Sequence, residues 1–117
     1  FGAIGSVAGS GPAFVARFVT ALARAGEELG LDPAFSLDIA LQTVAGTAAL
    51  ARATGEDMSS IAQRVASPRG TTEAGLAVLD GGDALKRLLG ETLAASQRRG
   101  RELAAAARAI DSPPPVA

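Results

Sequence analysis

Seven consecutive residues, Ser67-Pro68-Arg69-Gly70-Thr71-Thr72-Glu73, hold most of the chemistry this sequence offers. Pro68 disfavours the α conformation at Ser67, so a helix arriving from the N-terminal side is expected to end there. Gly70 permits a tight backbone, and Thr71 or Thr72 is placed to cap a new helix. A helix start of this kind presents N–H groups without intrahelical acceptors and two hydroxyls, which together suit an anion such as a carboxylate. The same residues also make a plain corner between two helices. Glu73 favours that simpler reading, because an acid in the first turn already answers the helix dipole. Spacing and chemistry alone leave both readings open.

Composition narrows what the segment can do. Neither His nor Cys occurs among the 117 residues. That excludes Ser-His triads, Cys nucleophiles, disulfides, and metal sites of thiolate or imidazole built from this chain alone. Any reaction must use hydroxyls, backbone dipoles, carboxylates or a cofactor supplied from elsewhere. A net charge of −1 gives no electrostatic footprint for nucleic acid or an anionic membrane. No unbroken apolar run reaches the roughly 18–20 residues needed to cross a bilayer, and no signal peptide is visible. A chain without cysteine fits a cytoplasmic protein.

The elements that must position the segment read as all-α, with two or three long helices and two short ones. Phe1 to Gly11 is rich in Gly, Ser and Ala and reads as a linker ending in a helix cap, with Pro12 opening the first long helix. Phe14, Val15, Phe18, Val19, Leu22 and Leu29 form its apolar stripe, and Gly30 ends it between Leu29 and Leu31. Asp32 and Pro33 open the second helix, which runs to about Thr54 before Gly55. It is apolar nearly all round, so part of it is expected to pack on a partner chain. Asp57 or Ser59 caps a short helix with Ile61 and Val65 on one face. After the polar segment, a short helix carries Leu76 and Leu79 as far as Asp80-Gly81-Gly82. Asp83 is read as the cap of the last helix, whose Leu85, Leu88, Leu89, Leu93 and Leu103 are expected to face inward to about Arg108. Residues 111–117, with three consecutive prolines, are expected to be disordered.

Two other features have simpler explanations. Gly5-Ser6-Val7-Ala8-Gly9-Ser10-Gly11 lacks the preceding strand, the lysine and the spacing of a phosphate loop. Lys86, Arg87, Arg98, Arg99 and Arg101 interleave with Glu91 and Glu102 and lack aromatic neighbours, as on a solvated face with intrahelical ion pairs.

Gly9-Ser10-Gly11-Pro12-Ala13-Phe14 opening a long helix, then Ser67-Pro68-x-Gly70-Thr71-Thr72 followed by Gly75 and Leu76, resembles the pyrroline-5-carboxylate reductases. Arg98, Arg101, Glu102 and Leu103 resemble the closing pattern of that family, so the resemblance covers roughly residues 1 to 104. It implies an intertwined helical dimerisation domain, similar to the C-terminal domain of 6-phosphogluconate dehydrogenase, over residues 1–110. The implied reaction is reduction of 1-pyrroline-5-carboxylate to L-proline with NADPH or NADH. The cofactor would sit mainly in a Rossmann domain, which would lie upstream of Phe1 or have been removed, so this chain alone is expected to be inactive. The implied partner is a second copy of the chain, with decamers in some members.

Carried over residue by residue, the resemblance puts the substrate carboxylate on Ser67, Pro68, Gly70, Thr71 and Thr72. Thr72 takes the catalytic role, orienting the imine and hydrogen-bonding its nitrogen as it becomes an amine. Hydride chemistry needs no His or Cys from this chain, since positioning and polarising the substrate suffice. Two positions depart from the family pattern. Arg69 stands where Gly, Ala or Asn is usual and is expected to point outward; Ala8 stands where Ser is frequent. The alternative from another class is a non-catalytic helical dimerisation module. A hydroxy-acid dehydrogenase of similar layout would need a lysine in its helical domain, and Lys86, the only one here, lies in no suitable motif.

Overall fold

The computed structural model describes residues 2–65 and 70–111. Within them every regular element is helical. Three long helices, α1 (Gly11–Glu28), α2 (Pro33–Thr54) and α5 (Ala84–Asp111), are joined by two short ones, α3 (Met58–Arg64) and α4 (Thr71–Asp80). The chain divides into two compact units. One runs from Ala13 to Leu79; the other combines residues 1–12 with residues 80–117.

Local capping chemistry sets the boundaries in the first unit. Past the end of α1, Leu31 N–H donates to the Gly26 carbonyl and Gly30 N–H to that of Glu27. That pair of bonds needs a left-handed residue, and Gly30 supplies it at φ +103°. Asp32 then accepts from Phe35 N–H at 3.2 Å while Pro33 opens α2. Gly55, at φ +70°, closes α2 with a bond from its N–H to the Ala51 carbonyl. Asp57 caps α3 by accepting from Ser60 N–H at 2.8 Å, which decides between the two candidate caps.

A four-residue connection folds α2 back along α1 as a helical hairpin. Its core is small: Val19, Ala23 and Ala40 are buried, with Val44 packed against them. At the crossing, Ser36 is 2% exposed and donates its hydroxyl to the Ala23 carbonyl at 2.7 Å. An alanine-rich seam brings two helices this close, because little side chain stands between the backbones.

Several expectations need correction. The stretch before α1 is not a linker: Ala3 and Ile4 are helical, and Gly5–Gly9 forms a π-helical turn closed by Ser10 N–H donating to the Gly5 carbonyl at 3.1 Å. Val65 is 60% exposed as the residue that ends α3, while Ile61 is buried. The helix is therefore complete at Arg64, ahead of Ser67. Asp83 does not adopt the extended backbone of an N-cap; it lies at φ +56°, closing a 3₁₀ turn over Gly81–Asp83. Only part of the leucine face of α5 is covered in the single chain: Leu85 and Leu93 are half-buried, while Leu88 is 60% exposed and Leu89 and Leu103 are also exposed. Asp111 still belongs to α5, so the helix outlasts its expected end near Arg108; residues 112–117 lie outside the described residues. Finally, α2 is long and apolar enough to cross a membrane by length and composition alone. Asp38, Gln42 and Thr43 interrupt any continuous apolar run there, which is why counting such runs passes over it.

The three long helices and two short ones, and the ends of α1 and α2, stand as the sequence implies. So does the intrahelical pairing on α5, where Arg99 meets Glu102 at 3.1 Å on the exposed surface.

Candidate functional site

The site begins with a glycine. Gly70 lies at φ +81°, in the left-handed region where a Cβ would be strained. Its carbonyl accepts from Ala74 N–H at 2.8 Å, the first hydrogen bond of α4. Gly70 is thus the residue flanking the helix, and Thr71, Thr72 and Glu73 are its first three positions. The threonines do not cap α4, as the sequence suggests they do, because Gly70 already occupies that place. Their N–H groups and that of Glu73 have no intrahelical acceptor and point out of the helix start.

Of the residues expected to form the site, the structure brings Gly70, Thr71 and Thr72 together at one end of α4. Thr71 is exposed and Thr72 half-buried. Ser67 and Pro68, with Arg69, lie outside the described residues. Glu73 is exposed in the first turn. Thr72 therefore sits at the boundary between solvent and protein, next to a helix end whose partial positive charge favours an anion. The arrangement can grip a carboxylate through N–H groups and orient a neighbouring polar atom through a hydroxyl.

No group of three or more potential metal ligands occurs among the described residues. An open groove lies between α1 and α2, lined by Thr20, Ala23, Arg24, Glu27, Pro33, Ala34 and Leu37. It shares no residue with the start of α4. One polar contact has no signal in the sequence: Ser10 and Ser96, 86 residues apart, place their hydroxyls 3.3 Å from each other.

Comparison with known proteins gives this geometry a context. Residues 1–103 match the family described as pyrroline-5-carboxylate reductase dimerisation. A pyrroline-5-carboxylate reductase of Synechocystis is 45% identical over 101 residues, covering 86% of this chain and 38% of that protein. The Glycine max reductase is 40% identical over 103 residues, covering 88% of this chain and 37% of its own length. The chain thus spans little more than a third of the relatives it matches. Among solved structures, the Plasmodium falciparum pyrroline carboxylate reductase with NADP bound superposes with a TM-score of 0.76 at 26% identity, over 82% of this chain and 36% of that one. With the match running unbroken from Phe1 through the middle of α5, this chain belongs to the pyrroline-5-carboxylate reductase dimerisation family.

Proposed function

We propose that this chain is the helical, dimer-forming part of an NAD(P)H-dependent oxidoreductase that reduces 1-pyrroline-5-carboxylate to L-proline. In this reading the start of α4 holds the substrate carboxylate. One observation carries it: the segment with the family's signature opens a helix on a left-handed glycine, leaving the N–H groups of Thr71, Thr72 and Glu73 without intrahelical acceptors. A nicotinamide, held mainly by a Rossmann domain outside this chain, would when bound supply the hydride that reduces the C=N bond. As that bond is reduced its electron pair moves to nitrogen, which takes up a proton. The Thr72 hydroxyl orients the ring and hydrogen-bonds that nitrogen, while Ser67, Pro68, Gly70 and Thr71 fix the carboxylate. Fixing one end of a small rigid ring sets the face it presents to the hydride. A homodimer, assembly into decamers and residence in the cytoplasm belong to the same reading.

The test is Thr72→Ala in the full-length enzyme that carries this chain. Loss of one positioning hydrogen bond should lower kcat/KM by about 10²-fold, on the scale of a single well-placed donor, with the dimer intact. Unchanged kcat/KM would remove Thr72 from the mechanism. The rival, a helical module that only dimerises, is favoured by the exposed Glu73 in the first turn of α4. Titration with L-proline separates the two: amide shifts at Gly70 to Glu73 support a carboxylate site, and their absence in an intact dimer supports the rival.

A further inference from the structure

Residues 2–12 and α5 belong to one unit, and the segment before α1 has an unusual hydrogen-bond pattern. Ser6 N–H donates to the Gly2 carbonyl at 3.0 Å with ordinary α spacing. Four residues on, Ser10 N–H reaches back five positions to Gly5. Helical backbone therefore stands on both sides of a turn that holds one residue more than an α-helix would. Such π-turns act as single-residue insertions in a helix. This one is anchored twice. Ser6 is 3% exposed, and the Ser10 hydroxyl meets that of Ser96 on α5 at 3.3 Å. The residues between the anchors, Val7, Ala8 and Gly9, are exposed.

We propose that the π-turn over Gly5–Gly9 is a register device that sets the direction in which the chain enters this unit, with Ser10 and Ser96 as its positioning residues. Each residue of an α-helix advances the chain by about 100° and 1.5 Å. Removing one residue from the turn restores α geometry and rotates everything before Ser6 by about 100° relative to α5, because Ser10 is held. Where the cofactor-binding part precedes Phe1, as the proposed function requires, that rotation displaces the nicotinamide by far more than the ~1 Å that already costs about 10²-fold in rate.

The experiment uses the full-length enzyme and deletes Val7. The expected result is a fall of at least about 10²-fold in kcat, with helix content and the dimer retained. Inserting one alanine between Gly2 and Ala3 of the deletion variant restores the phase and should recover most of the activity. A deletion variant with undiminished kcat overturns the proposal. So does a loss that the compensating insertion fails to rescue, since the turn would then matter for its own packing and not for register. If the deletion variant does not fold, Ser96→Ala decides the matter: exchange of the Ser10 amide should rise by at least about tenfold, as a lost anchor permits local opening, and unchanged protection overturns the anchoring role. An inactive unmodified enzyme would instead sink the proposed reaction and leave the register proposal to the exchange measurement.

Discussion

Asp57 shows how one side chain fixes an element in this protein. The Ser60 backbone N–H, helped by the Ser60 hydroxyl and the Ser59 N–H, holds the Asp57 carboxyl below its ordinary value of 3.8 against a small opposing effect of desolvation. A carboxylate with a lowered folded-state pKa contributes stability that is fully present above the unfolded value. That stability is lost as pH falls through the folded one. Asp57→Ala should therefore melt below the parent chain at pH 7, and the gap between their melting temperatures should narrow progressively below pH 4. A gap that stayed constant down to pH 2 would show that the charge on Asp57 contributes nothing. At the other functional end of the chain, Gly70 is the residue least open to change. Gly70→Ala keeps every side chain of the site but forces a Cβ into the left-handed region, at a cost of about 1–2 kcal/mol. The expected outcome is a frayed start of α4 and a raised KM for the substrate, with dimerisation unaffected; a KM equal to that of the parent would show that the left-handed backbone is dispensable.

Among the elements, the hairpin of α1 and α2 depends on one close approach. A Cβ on Gly26 would fall on the Ser36 hydroxyl and press on Leu31. Since Ser36 is buried and committed to the Ala23 carbonyl, it has nowhere to rotate without breaking that bond. Gly26→Ala should cost about 1–3 kcal/mol through overpacking, although alanine is the better helix former by nearly 1 kcal/mol. A thermal melt that rose instead would show propensity outweighing the close contact. The sequence marks where this hairpin turns, at Gly30 and Asp32, but not that Gly26 and Ser36 meet, since a small residue inside a helix has many possible reasons to be there. The same holds for α4: a threonine beside a glycine reads as a cap, and only the Ala74 to Gly70 bond shows that the glycine holds that position.

At the scale of the molecule, the buried apolar residues are few. Among the described residues Val19, Ala23, Ala40 and Ile61 are buried, while Phe18, Leu22, Phe35, Leu37, Leu41, Leu88, Leu89 and Leu103 remain exposed. Contiguous exposed apolar faces on long helices mark surfaces that another chain covers. The 117 residues are thus expected to sediment as a dimer at micromolar concentration; a stable, folded monomer would contradict the partner-covered reading of α2 and α5.

Which features can be read from residue order, and which depend on the folded chain, follows the range of the forces involved. The all-α class, the ends of α1 and α2 with the glycines that close them, Gly30 and Gly55, and the tight backbone at Gly70 in the segment proposed as the site were legible in the sequence. Each depends on groups within five or so positions, so residue type and spacing suffice. Periodicity likewise showed which α5 leucines share a face, but not whether this chain covers that face, which depends on what packs there. The packing of the π-turn at Gly5–Gly9 on α5 and the meeting of Ser10 with Ser96 join segments far apart in sequence, beyond the reach of local spacing. The polar segment keeps its glycine and two threonines at one helix start. The structure moved the capping position from the threonines to Gly70, because the Gly70 carbonyl accepts the first bond of α4 and so places both threonines inside its first turn.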